Sequence, residues 1–389
     1  MFVTIIIFIL VLSVLVFAHE FGHFITARKL GVRTDEFGFG FPPRAIGFYK
    51  NKHGKWRKVV GTQTYESLEE SKDEKNIPKV GSTIYSLNWL PIGGFVKIKG
   101  ENGDGENDKD SFAAKKIWQR MLILSAGVIM NIVLAWFLFS VGYMMGMPQS
   151  TIELGKHARV SESRVAIVEV MPGSPAEKAG LKSGDSILKI DNQVVAVEQD
   201  VQDIVGSKAD QEIELVLASE GGEKTIKIVP ISNSEIASGR ATIGVSIMAA
   251  GTVSYSFFYA FAEGAKTTWW MLKEILFAFG GLIASLFQGE SVGDNFAGPV
   301  GIANITGQAA RLGFAYLLQF TALLSLNLAI INILPFPALD GGRILFLLIE
   351  KVKGKPVRRN VEAIIHNIGF MLLIALIVFI TYKDIAKLF

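Results

Sequence analysis

The apolar positions of this chain gather into long unbroken runs, and polar stretches of very different character separate them. The first run starts at Phe2 and stays apolar through Phe17. It lacks the positively charged start and small-residue cleavage site of a secretory leader, so residues 1–27 read as a retained spanning helix. Residues 119–147 form a second run, 314–334 a third and 365–382 a fourth, each long enough to cross about 30 Å of hydrocarbon as a helix. The third leads into a Pro- and Gly-broken segment and is taken to 348. The pattern predicts an α-helical polytopic membrane protein with four transmembrane helices.

A fifth stretch, within 252–313, holds Trp269, Trp270 and the apolar run from Ile275 to Phe287. Lys266, Lys273 and Glu274 leave it too short a clean run for a comfortable span. Parity agrees. If it crossed, the basic loop 349–364, with Lys351, Lys353, Lys355, Arg358 and Arg359, would fall outside, against the positive-inside rule. An interfacial or re-entrant helix is the expectation.

The polar stretches carry opposite charge. Residues 28–118 hold 17 Lys/Arg against 12 Asp/Glu and follow directly on Arg28, Lys29 and Arg33, which assigns them to the cytoplasm. Residues 150–250 hold 10 Lys/Arg against 15 Asp/Glu, which suits an extracytoplasmic domain. Both termini then lie outside. Within the cytoplasmic loop, Leu90–Gly100 has strand-and-turn character, Val96 and Ile98 alternating with Lys97 and Lys99. It reads either as an ordinary hairpin or as an open-edged strand, Phe95–Ile98, that holds an extended substrate by backbone hydrogen bonds. The acidic residues 101–111 lack EF-hand ligand spacing and read as solvated loop. In 150–250 a strand (166–170), a Pro-Gly-Ser-Pro-Ala turn, a short helix and a Gly-Asp strand follow in the order of a PDZ domain, a module that takes extended peptide ends as an added strand.

Composition sharpens this picture in three respects. Of 389 residues half are hydrophobic, and the mean hydropathy of +0.37 agrees with several spans. The net charge of +3 comes with no basic stripe of the kind that binds nucleic acid. There are no cysteines, so disulfides, thiolate ligands and a cysteine nucleophile are excluded, and a transition metal must be held by His, Asp or Glu.

At the end of the first run stands His19-Glu20-Phe21-Gly22-His23. Two histidines four apart share a helix face and can grip one metal ion, and the adjacent carboxylate can accept a proton from water at that metal. Ionisable groups inside an apolar run are costly, which favours function over a chance polar cluster. About 25 Å along its helix, the pair lies near the far membrane face. Asn332-Ile-Leu-Pro-Phe-Pro337-Ala-Leu-Asp340-Gly-Gly ends the third span with irregular backbone, tolerated at that depth only inside protein or around a wet cavity. Asp340 comes to the same depth as the histidines and is the candidate third ligand, with a helix-capping role as the alternative. Asn131 in the second span, beside Ser125, Ala126 and Gly127, reads as a tether between helices. His366 at the start of the fourth reads as structural.

The His-Glu-x-x-His and Asn-x-x-Pro-x-Pro-x-Leu-Asp-Gly motifs, with a PDZ domain between them, resemble the site-2 protease family of intramembrane zinc metalloproteases, of the bacterial RseP type. The resemblance covers essentially the whole chain and implies zinc on His19, His23 and Asp340, with Glu20 as general base. It implies that Asn332 contacts or positions substrate, that Leu90–Gly100 is a membrane-associated β hairpin pairing with substrate, and that Phe296–Gly301 is a family segment. The implied substrates are single-span proteins such as anti-sigma factors or remnant signal peptides, cut in the bacterial inner membrane with the PDZ domain gating access. One PDZ domain stands here where the enterobacterial type has two in tandem. A PDZ adaptor with a vestigial metal site is disfavoured by the complete motif set. A metal transporter is disfavoured because the polar groups cluster at one depth.

Overall fold

A computed structural model describes residues 2–71, 73–103, 105–150, 154, 157–219, 222–232, 241–288 and 298–386. Asp104 of the acidic loop and Phe296 and Ala297 of the Phe296–Gly301 stretch lie outside the described residues. The chain divides into two compact units, Met1–Ser140 with Gly264–Phe389, and Val141–Glu263.

The first unit opens with α1 (Phe2–Lys29), apolar for most of its length and closed by Arg28 and Lys29, whose charge suits a helix C-terminus. A sheet follows, built from β1 (Thr34–Lys50), β2 (Trp56–Val59) and, after the short helix α2 (Tyr65–Glu69), β3 (Ile84–Ile98). The two long strands are folded around each other. Residues 34–39 of β1 register against 94–98 of β3 on one side and, from Glu36, against 84–87 on the other, while Arg44–Phe48 register against 85–88. Residues 94–98 are thus the outermost segment on their side, and among the described strands none pairs with their outer edge. The sheet is pinned to α1 where the backbones nearly touch: Ser13 Oγ donates to the Pro91 carbonyl at 2.7 Å and accepts from Gly93 N–H at 3.3 Å. Gly93, at φ +76°, lies so close to Val16 that a Cβ there would meet its side chain at 2.9 Å. The helix α3 (Ile117–Met145) then crosses α1, with so little room that a Cβ on Gly22 would sit 2.3 Å from the Ala126 carbonyl oxygen. Ala27, Val32, Ile98, Phe112, Ile123, Leu124 and Leu347 form one buried cluster at this end of the unit.

The second unit is a sheet with two helices. Its strands are β4 (Met147–Ser150), β5 (Arg159–Val170), β6 (Ser186–Ile190), β7 (Gln193–Val194), β8 (Ile213–Ser219), β9 (Gly222–Ile228), the small pair β10 (Ile231–Ser232) and β11 (Ala241–Thr242), and β12 (Val245–Ser254). The main sheet runs β4-β12-β5-β6-β8-β9, with β7 on β6. Between β5 and β6, α4 (Pro175–Lys178) starts on Ser174, whose hydroxyl accepts from Glu177 N–H, with Pro175 at its first position. The two-residue hairpin of β6 and β7 turns on Asp191 and Asn192 in the left-handed region that such a turn needs. Before β8, α5 (Glu198–Gly206) packs Val201 and Val205 into a core with Val165, Ile167, Ile187, Ile213 and Leu215. Strand, turn, helix and Gly-Asp strand come in the order expected for a PDZ domain.

Five helices complete the chain: α6 (Phe257–Phe287), α7 (Pro299–Leu312), α8 (Phe314–Ile333), α9 (Asp340–Lys353) and α10 (Arg359–Ala386). The N-terminus of α7 is held by Asp384, whose two carboxylate oxygens accept from Gly298 N–H at 3.1 Å and Gly301 N–H at 2.8 Å. Gly298–Gly301 of the family segment is thus a helix start capped from the end of another helix. Ser325 of α8 donates to the Asn131 carbonyl of α3 at 2.8 Å, joining these helices where both are buried. Among the described residues four helices are long and apolar enough to cross a membrane: α1, α3, α8 and α10.

Candidate metal centre

Helical spacing does the first part of the work. On α1, His19 and His23 stack one turn apart with their rings edge to face, and their Nε2 atoms lie 3.2 Å from each other. The carboxylate of Asp340 arrives from the far end of the chain, with Oδ2 3.0 Å from His19 Nε2 and 3.3 Å from His23 Nε2. Its approach follows from local sequence. Pro335 and Pro337 end α8, Ala338 turns through φ +78°, and α9 starts on Asp340. Gly341 and Gly342 let α9 fold back onto this turn, since a Cβ at either would lie 2.2–2.3 Å from the Leu334 or Phe336 carbonyl oxygen.

The three facing atoms form a nearly equilateral triangle, and protons alone do not satisfy it. His23 Nδ1 lies 2.8 Å from the Ile123 carbonyl oxygen, which can only accept, so the neutral ring carries its proton on Nδ1 and presents a lone pair at Nε2. His19 Nδ1 lies 3.3 Å from the side-chain amide of Asn131, whose residue is fully buried. The atom placed there is Nδ2; flipping the amide, which exchanges it with the otherwise unpartnered Oδ1, lets His19 donate from Nδ1 and leaves its Nε2 a lone pair. Two lone pairs and a carboxylate oxygen then converge with nothing else donating to Asp340 Oδ2, an arrangement that a cation resolves. The size is right. A tetrahedral zinc ion with bonds of about 2.0–2.1 Å spaces its ligand atoms about 3.3 Å apart. His19, His23 and Asp340 are also the cluster able to hold a metal among the described residues.

Space for the site comes from α3. A Cβ on Gly127 would sit 2.5 Å from His23 Nε2 and 2.7 Å from His19 Nε2, so only glycine leaves the triangle open. Beside it lies a cavity of about 240 Å³, lined by His19, Glu20, Asn332 and Asp340 together with Val16 and Leu328. Four of the sequence-predicted residues therefore share one chamber, and His23 completes the triangle. Phe95, Val96, Lys97 and Ile98 do not line it. They lie on the outer segment of β3, which Gly93 and Gly94 press against Val16 and Phe17, one turn before His19. Lys97 Nζ is engaged by Glu66 Oε1 at 3.1 Å. Sequence reasoning missed the bond of Asn131 to His19 and the requirement for Gly127. The signal present was a buried amide four residues after a glycine.

Comparison with known proteins gives the family. Residues 7–59 and 76–376 match peptidase family M50, and the chain belongs to that family. A Clostridium perfringens protein, whose name provisionally assigns it as a zinc metalloprotease, is 33% identical over 97% of this chain and 97% of its own length. The zinc metalloprotease RasP of Geobacillus kaustophilus is 28% identical over 99% and 98% of the two chains. The regulator of sigma-W protease RasP of Bacillus subtilis is 28% identical over 99% of each. A crystal structure of a PDZ domain from a Listeria monocytogenes SdrC-like protein is similar to 23% of the chain and covers 92% of its own, at 21% identity and a TM-score of 0.21. The class is thus a zinc metalloprotease of the site-2 protease family. The protein is a multi-pass membrane enzyme with Zn²⁺ as cofactor.

Proposed function

We propose that the chain is an intramembrane endopeptidase that cuts single-span membrane proteins within or beside their span, with His19, His23 and Asp340 as zinc ligands and Glu20 as general base. The observation that carries this is the triangle of two imidazole nitrogens and one carboxylate oxygen, 3.0–3.3 Å on a side, with both imidazoles on a helix apolar enough to cross a membrane and the carboxylate just after the end of another. Zinc bound there supplies Lewis acidity, polarising a carbonyl and acidifying water. Glu20 shares the cavity with two of these ligands and accepts the proton, then returns it to the leaving amine. Asn332 lines the same cavity and offers an amide to orient the substrate backbone. A spanning helix hides its carbonyls in its own hydrogen bonds, so it must unwind to be cut. The unpaired outer edge of Phe95–Ile98 gives the extended substrate alternative backbone partners. Exposed Phe41, Leu87, Trp89, Leu90 and Ile92 at the far end of that sheet support its reading as membrane-associated.

Charge distribution supports a cytoplasmic-side site with both termini and the PDZ domain outside, where that domain limits access of bulky ectodomains. The sigma-W regulator named among the relatives supports anti-sigma factors as a substrate class, beside remnant signal peptides. The test is cleavage of a tagged single-span substrate by the purified protein in detergent, with Glu20→Gln alongside. Cutting by wild type, abolished by the substitution and by zinc chelation, is the expected result. Unchanged cutting by Glu20→Gln would remove Glu20 from the mechanism.

A further inference from the structure

We propose that His366 of α10 is a positioning residue for the metal centre, acting on Asp340 through the backbone of Ala338. The inference rests on the reading of Asp340 as a zinc ligand. The turn that delivers Asp340 contains one backbone feature that its own residues do not stabilise. Ala338 stands at φ +78°, a conformation that L side chains rarely adopt, and its N–H makes no hydrogen bond to the turn's own carbonyls. That N–H donates to Nδ1 of His366 at 2.9 Å, across a sequence separation of 28 residues. An imidazole that accepts at Nδ1 carries its proton on Nε2, so the bond also specifies the tautomer. Nε2 makes no hydrogen bond to the protein, lying 3.9 Å from Glu362 Oε1, and the ring lines a second cavity, of about 640 Å³, beside Phe346 and Glu362.

A second contact on the same helix face makes the hold rigid. Gly369, three residues on, brings the α10 backbone so close to the turn that a Cβ there would lie 2.4 Å from Pro337 Cβ and 2.7 Å from the Pro337 carbonyl oxygen. Thus α10 grips two successive residues, Pro337 by steric contact and Ala338 by a hydrogen bond. Asp340 follows two residues later, with its Oδ2 3.0–3.3 Å from both imidazoles. Without the acceptor, the half-buried Ala338 N–H loses its partner and the left-handed residue loses what holds it. The carboxylate is then free to leave the triangle.

The geometry makes a discriminating test possible. An asparagine side chain places its amide oxygen where His366 has Nδ1, whereas glutamine reaches instead to the position of Nε2. Zinc affinity is measured on full-length protein in detergent by competition with a chromophoric chelator, for wild type, His366→Asn, His366→Gln, His366→Ala and Asp340→Asn, with thermal melting of each. His366→Asn is expected to bind zinc within a few-fold of wild type. His366→Gln and His366→Ala are expected to bind it roughly 10- to 100-fold more weakly, as for lost outer-shell partners of metal ligands. Equal affinity of the Asn and Gln variants, at matched melting temperatures, would overturn the proposal. Zinc affinity that is unchanged in Asp340→Asn would instead remove the ligand assignment beneath it.

Discussion

At the scale of single residues, the candidate metal centre is shaped by groups outside its three proposed ligands. Asn131 meets His19 Nδ1 at 3.3 Å and is fully buried, so it sets which nitrogen of His19 faces the triangle. Asn131→Leu keeps the volume and removes the acceptor. The expected effect is a loss of zinc affinity of roughly 10- to 100-fold, read by chelator competition. Asn131→Asp, which still accepts from Nδ1–H, is expected to retain most of it. Equal loss in both variants would mean that Asn131 only fills space. The two histidines and Glu20 were legible in the sequence because helical spacing alone puts them together. Asp340 was legible because prolines and glycines mark an irregular segment at the same depth. The role of Asn131 was not, because it needs a contact between α1 and α3 over 112 positions that no local pattern encodes. For the same reason His366, read as structural, showed its bond to Ala338 only in three dimensions.

At the scale of elements, the sheet beside α1 shows what alternation could and could not tell. The pattern of Val96, Lys97 and Ile98 announced a strand, but not that β1 and β3 wrap each other so that 94–98 become an outer edge. Neighbouring residues in an antiparallel strand direct their N–H groups to opposite sides. Of Val96 and Lys97, one therefore bonds toward β1 and the other presents its N–H outward. Proline at the first should lower the melting temperature by removing a ladder bond. Proline at the second should leave it unchanged, since edge positions tolerate proline. If substrate adds to this edge, the second variant alone cuts a spanning substrate more slowly at unaltered stability. One lost backbone hydrogen bond, about 0.5–1.5 kcal/mol, corresponds to a loss of roughly two- to tenfold. Full activity in whichever variant keeps its stability would count against strand addition here.

For the whole molecule, the four apolar helices and the charge of the segments between them support the proposed side of the membrane for each part. Lys351 and Lys353 end α9, Lys355 and Arg358 lie in the link that follows, and Arg359 opens α10, five basic residues within nine positions, and such basic clusters favour the cytoplasmic side. The stretch 150–250 has an excess of five acidic over basic residues, 15 against 10, and tolerates translocation. The chain has no cysteine, so a single introduced thiol reports its own side without background. Val352, 88% exposed beside the basic cluster, and Val194, 72% exposed on the β6–β7 hairpin, are suited to it because neither side chain packs into a core. In intact spheroplasts a membrane-impermeant maleimide should label Val194→Cys at once and Val352→Cys only after the membrane is opened. The positive-inside argument requires the two sites to differ. Labelling of both from outside, or of Val352→Cys alone, would invert or break the assigned topology, and with it the assignment of the zinc site to the cytoplasmic end of α1.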